Sequence, residues 1–123
     1  MTSATTAIDR NALEGLRDLF GDEFDSLLAD YLLEAPDLAA QIAAAVEQGN
    51  AALATSAAHQ LKATSATFGA LALTEIAEQI ESQALALDLS GCRQLAERCL
   101  DEAERVTRAL VQAPYPTIVP RGT

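Results

Sequence analysis

The chain has 123 residues, half of them apolar, a net charge of −10 and a pI near 4.3. That size and apolar share fit one domain with a real core, while so acidic a chain excludes a basic nucleic-acid-binding face and is repelled by an anionic membrane surface. No stretch reaches membrane-span length and the polar start MTSATTAIDRN does not read as a signal peptide, so a cytoplasmic protein is expected.

Ala and Leu dominate and aromatics make up 4%, a mixture that favours helices over strands. Residues 1–7 read as a disordered N-terminal segment. Asp9 is a plausible N-cap for RNALEGLRDLF, whose Leu13, Leu16, Leu19 and Phe20 fall on one helical face. Gly21 ends that short helix and Asp22 can cap the next. The second helix is expected over 23–48. Phe24, Leu27, Leu28, Tyr31, Leu32 and Ala35 begin its apolar stripe, and Leu38, Ile42, Ala45 and Val46 continue it. Pro36 lies between, and a kink or brief break is expected at 35–37, because proline removes one helical hydrogen bond and crowds the preceding turn. QGN closes the segment.

A third helix is expected over 51–67, punctuated by Gly69, and a fourth over 70–87 with Leu73, Ile76, Ala77, Ile80, Ala84 and Leu87 on one face. DLSG reads as a turn with Ser90 as cap. The fifth helix, 91–112, turns Leu95, Cys99, Val106 and Leu110 inward. Its two cysteines, Cys92 and Cys99, stand seven apart. Two helical turns separate them by about 10 Å, too far for a disulfide, so free thiols in a reducing compartment are expected. The tail APYPTIVPRGT, 113–123, is too proline-rich for helix, and VPRGT resembles a protease cleavage sequence, so part of it reads as a non-native extension. Short connections make neighbouring helices antiparallel. The expected fold is all-α: an up-and-down four-helix bundle of the second to fifth helices over 8–112, with the short N-terminal helix covering one end.

The third helix carries the chemistry. With Leu61 at 0° on a helical wheel, Leu53, Ala54, Ala57, Thr64, Ser65 and Phe68 fall within about 80° and define the inward face. His59, the chain's one histidine, lands at about 160°, beside Ala52, Thr55, Ser56, Ala63 and Ala66. Lys62, the one lysine, sits at about 100°, on the flank. A solvated helix face normally carries charged side chains, yet residues 48–74 hold a single charge, Lys62. Small neighbours let another protein approach the imidazole closely. A neutral imidazole is a good nucleophile near pH 7, and an ammonium one turn away neutralises phosphoryl oxygens as a point charge. Phosphoryl transfer asks mainly for positioning and charge stabilisation.

AHQLKATSATFGALALTEIAEQIE resembles the histidine-containing phosphotransfer (HPt) domain. His59, Leu61, Lys62, Ser65, Gly69 and Ala70 fill the places of the family signature, and FDSLLADYLLEAPDLAAQIAAAVEQGN looks like the family's second helix. The resemblance implies a four-helix bundle with the phosphorylatable His exposed mid-helix. It implies a phosphorelay carrier rather than an enzyme: His59 exchanges a phosphoryl group, at Nε2, with the aspartate of a receiver domain. It gives Lys62 the role of phosphate stabiliser, and Glu81 the hydrogen bond that orients the imidazole. The receiver brings the Mg²⁺, so no metal or cofactor is expected on this chain. Thr55, Ser56, Ala63, Ala66 and Thr67 form the expected docking surface, and the protein is expected to be a monomer. Ala63 departs from the family, which usually has Gly there; its methyl group borders the docking surface and bears on which receivers dock.

Competing readings remain open at this level. The small face suits a helix–helix contact with a second subunit, in a non-signalling interaction or dimerisation module of degenerate phosphotransfer fold. Glu75 and Glu78 read as a solvated edge, and Phe24, Tyr31 and Phe68 as core. A di-iron bundle needs Glu-x-x-His pairs, and Ser56 stands three residues before His59.

Overall fold

The structure, a computed structural model, describes residues 7–112. Its helices are α1 (Arg10–Phe20), α2 (Phe24–Gln48), α3 (Ala51–Thr67), α4 (Leu71–Leu85) and α5 (Cys92–Gln112), with a 3₁₀ turn, Gly21–Glu23, between the first two. No strand occurs among the described residues. Helix α2 packs on α3, α3 on α4, α4 on α5, and α5 back on α2. Sequential neighbours joined by tight turns run antiparallel, which closes an up-and-down four-helix bundle. The expected segments 1–7 and 113–123 lie outside the described residues, apart from Ala7, which is buried.

The sequence sets most of the boundaries through local chemistry. The Asp9 carboxylate accepts the N–H groups of Asn11 and Ala12 at 3.1 and 3.4 Å and so caps α1. Gly21, at φ +54°, ends it. Asp22 does not cap α2. The residue at the N-cap place is Glu23, itself in near-helical geometry, and a side-chain cap needs an extended residue there. Gly49, at φ +71°, terminates α2 in the left-handed conformation, and the Asn50 side chain accepts the Leu53 N–H to open α3. The turn before α5 differs from expectation: the Ser90 hydroxyl donates to Asp88, and the Asp88 carboxylate accepts the Gly91 N–H, so Asp88 organises the turn.

Helix α2 runs unbroken through Pro36. The proline ring is exposed, while Ala35, Leu38, Ala39 and Ile42 are buried around it. One missing hydrogen bond is outweighed by a stripe that both halves of the helix bury together. The core is filled by Leu13, Phe24, Leu28, Tyr31, Ile42, Leu61, Leu73, Ile80, Val106 and Leu110. Three expected core residues are exposed instead. Leu19 closes α1 and Leu53 opens α3, where no neighbouring helix covers them, and Leu87 lies beyond α4 at φ +63°. Phe20 is also partly exposed. Cys92 and Cys99 are free and buried.

Helix α1 sits on the end of the bundle where α3 turns into α4. The Asp9 N–H donates to the Gly69 carbonyl at 2.8 Å. Gly69 has φ +75°, and a Cβ there would lie 3.0 Å from the Asp9 carbonyl oxygen and 3.2 Å from Ala12 Cβ. Only glycine lets the two segments meet so closely at this backbone conformation.

Candidate functional site

Helix α3 divides cleanly between its two faces. Ala54, Ala57, Ala58, Leu61 and Ser65 are buried. Ala52, Ser56, His59, Ala63, Ala66 and Thr67 are exposed, and Thr55 is half-buried. The hydroxyls of Thr55 and Thr67 are engaged with carbonyls of their own helix, Ala51 and Ala63, at 2.8 and 3.1 Å. The surface around His59 is therefore short, nearly free of charge and largely satisfied in its own hydrogen bonding.

The inward face is pinned by Tyr31 of α2. Its hydroxyl lies 2.8 Å from Ser65 Oγ, and its ring stacks on Phe68 with centroids 4.7 Å apart. Burial pushes the Tyr31 phenol up to about 12, against the opposing pull of the Ser65 hydrogen bond. Ser65 thus belongs to the core rather than the surface.

His59 is 66% exposed at the side chain. Its Nδ1 lies 2.8 Å from Glu81 Oε2, on α4. The other carboxylate oxygen, Oε1, lies 2.8 Å from Lys62 Nζ. One carboxylate therefore holds both the imidazole and the ammonium. A carboxylate only accepts, so Nδ1 carries the ring proton and donates it, and the lone pair of the neutral ring sits on Nε2. The Lys62 hydrogen bond holds the Glu81 carboxyl below its ordinary value, with the His59 contact adding to it and partial desolvation opposing it. The same contact with Glu81 raises Lys62 above its ordinary range.

On the other side of His59, Gln60 Nε2 donates to Glu34 Oε2 of α2 at 2.6 Å. The turn that bears His59 is thus tied to both neighbouring helices, to α4 through Glu81 and to α2 through the Gln60–Glu34 bond. Glu75 and Glu78 are exposed, as the sequence suggests. Among the described residues no three His, Cys, Asp or Glu side chains gather as metal ligands.

The expected site residues His59, Lys62 and Glu81 come together, and the expected docking residues surround His59. The bond between Lys62 and Glu81 and the Gln60–Glu34 bridge escape a reading of the sequence. Both join different helices, and their only signal in the sequence is a polar residue opposite the motif on each neighbouring helix.

The arrangement can do one kind of chemistry readily. It offers a reachable nitrogen nucleophile, backed by a carboxylate that favours positive charge on the ring, with a cation one turn away. The family model of the Hpt domain matches residues 26–112. The crystal structure of histidine-containing phosphotransfer protein B (HptB) from Pseudomonas aeruginosa PAO1 is similar to this chain with a TM-score of 0.81 at 25% identity, covering 86% of this chain and 92% of that one. No curated protein sequence matches the chain.

Proposed function

Because the chain belongs to the Hpt domain family, and so to the phosphotransfer proteins of two-component signalling, we propose that His59 is its phosphoryl carrier, exchanging the group with the aspartate of a receiver domain. The contact that carries this reading is His59 Nδ1 to Glu81 Oε2 at 2.8 Å, on an imidazole otherwise open to solvent. In the transfer, the Nε2 lone pair attacks phosphorus in line. The bond from phosphorus to the aspartyl oxygen breaks, and the carboxylate leaves with that electron pair. The ring becomes cationic as the N–P bond forms, and its Nδ1 proton stays on the hydrogen bond to Glu81. The carboxylate is already in place, so charge on the ring is stabilised without rearrangement. The return transfer follows the same path backwards.

Lys62 has three N–H donors. One holds Glu81 Oε1, and the others are available to phosphoryl oxygens, so the ammonium serves the group in transfer while keeping its anchor. The receiver supplies the Mg²⁺ and the acceptor carboxylate. Thr55, Ser56, Ala63, Ala66 and Thr67 form the surface on which it docks. The protein acts as a cytoplasmic monomeric carrier rather than as an enzyme. Exposure of His59 supports this reading over a helical module that hides the same face in a dimer.

The test is incubation with a receiver domain carrying labelled phosphoaspartate. Acid-labile, alkali-stable label appears on the wild type and is absent from His59→Gln. Label on His59→Gln, or none on the wild type from any receiver of the same genome, overturns the assignment.

A further inference from the structure

From His59 the surface continues unequally toward its two neighbouring helices. On the α4 side the gap is filled: Glu81 and Lys62 join across it and are only 16% and 31% exposed. On the α2 side it lies open. The small residues Ser56, Ala63 and Thr67 lead toward α2, where the Gln60–Glu34 hydrogen bond bridges the helices. With buried Ala35 marking the inward direction of α2, Asp30 and Asp37 lean outward on the side of Glu34, toward α3, and Leu33 points straight outward. Together these four residues make up one patch on the outer face of α2. Leu33 is 77% exposed, a large apolar side chain set outward in the middle of three carboxylates.

The charge on this side of the molecule has one sign. From Phe24 to Leu85 the chain carries eight carboxylates, and Lys62 is its single permanently basic side chain. That ammonium is already held by Glu81. Of the described arginines, Arg93, Arg98, Arg105 and Arg108 lie on α5, which packs against α2 and α4 rather than against α3, and Arg10 and Arg17 lie on α1, at the end of the bundle.

We infer that the receiver docks off-centre, over His59 and the α2 face, with Leu33 as its apolar anchor and Asp30, Glu34 and Asp37 selecting a receiver whose phosphoryl pocket is bordered by Lys or Arg side chains. This rests on the carrier reading of His59. An exposed leucine ringed by carboxylates is the arrangement of an interface anchor with a charged rim. The anchor contributes contact area, and the rim sets partner choice and the speed of encounter. The face adjoins the His59 turn through Glu34, whose carboxylate accepts from Gln60, the residue after His59.

The experiment uses the full chain and one receiver domain charged with acetyl phosphate. It measures the receiver concentration giving half-maximal transfer, and the maximal rate, at low salt and at about 0.5 M salt. The Asp30→Lys/Asp37→Lys variant is expected to raise the half-saturating concentration about tenfold at low salt, with the difference shrinking at high salt. Leu33→Asp raises it by a similar factor at both salt levels, as loss of an anchor does. Maximal rates stay within about twofold, since these groups set encounter rather than chemistry. Glu104→Lys on α5, a comparable charge change on the far side, leaves the concentration unchanged. A receiver whose bordering Lys and Arg are replaced by Glu binds the wild type poorly and recovers with Asp30→Lys/Asp37→Lys. Unchanged half-saturation in both surface variants, or an equal shift in Glu104→Lys, overturns the inference. Phosphoramidate, a small donor that needs no docking, separates the two levels. If it labels His59 of the wild type while the surface variants dock normally, only the docking face is wrong. If His59 takes label from neither donor, both readings fall.

Discussion

At the scale of residues, one carboxylate does two things at once. Glu81 fixes the proton on His59 Nδ1 and holds Lys62 beside it. Its carboxyl is lowered from 4.5, and Lys62 is raised from 10.5. A lowered acid keeps its contact above its ordinary value and loses it only as the pH falls through the depressed one. A raised base keeps its contact until the pH climbs through the elevated one. The ion pair therefore stands across the whole neutral range. Lys62→Ala is expected to slow receiver transfer by about 10- to 100-fold, the worth of one charge-assisted contact, with helicity unchanged. In the same variant, carbon-detected NMR should show the Glu81 carboxyl titrating closer to 4.5, because its largest stabilising contact is gone. A rate equal to wild type removes Lys62 from the site, and a wild-type Glu81 that titrates with the other glutamates contradicts the ion pair. His59 and Lys62 were legible in the sequence because both lie on one helix, where spacing alone fixes their relation. The role of Glu81 came from family resemblance. Its second bond, to Lys62, depends on how far α4 slides and rotates against α3, which no local pattern encodes.

At the scale of elements, the boundaries followed from residues with local mechanisms: Asp9, Gly21, Gly49 and Asn50 act where the sequence puts them. The misread positions lie at ends or breaks. Leu19, Leu53 and Leu87 keep the apolar period but fall where coverage by another helix runs out, and periodicity carries no information about coverage. A kink or brief break was expected at Pro36, and the break does not occur: burial on both sides carries the helix through. The junction of α1 with the α3–α4 turn offers a direct test. Gly69→Ala places a methyl against the Asp9 carbonyl and Ala12, at a backbone angle that alanine disfavours. A loss of about 1–3 kcal/mol is expected in denaturant unfolding, together with faster proteolysis within α1 in native buffer. An unchanged unfolding midpoint would mean that α1 is not locked there.

At the scale of the whole molecule, the bundle hides both of its thiols. Burial pushes Cys99 up to about 12 and raises Cys92, so little reactive thiolate forms near pH 8 and reagent cannot reach it. Modification by a thiol-reactive dye is expected to run more than about 100-fold slower in native buffer than in denaturant, because it waits for the core to open. Reaction at the unfolded rate in native buffer would show a looser core than the packing of α2 to α5 implies. The split of α3 into a buried face and an exposed one has a bearing on descent. Ala57, Ala58, Leu61 and Ser65 answer to the stability of the bundle, whereas Ser56, Ala63, Ala66 and Thr67 touch little of it. Substitutions at the outer positions change what a partner meets with little effect on folding. A duplicated copy of this protein can therefore drift toward a new partner through a series of folded intermediates, and two such copies in one cell can become insulated from each other while sharing the same interior.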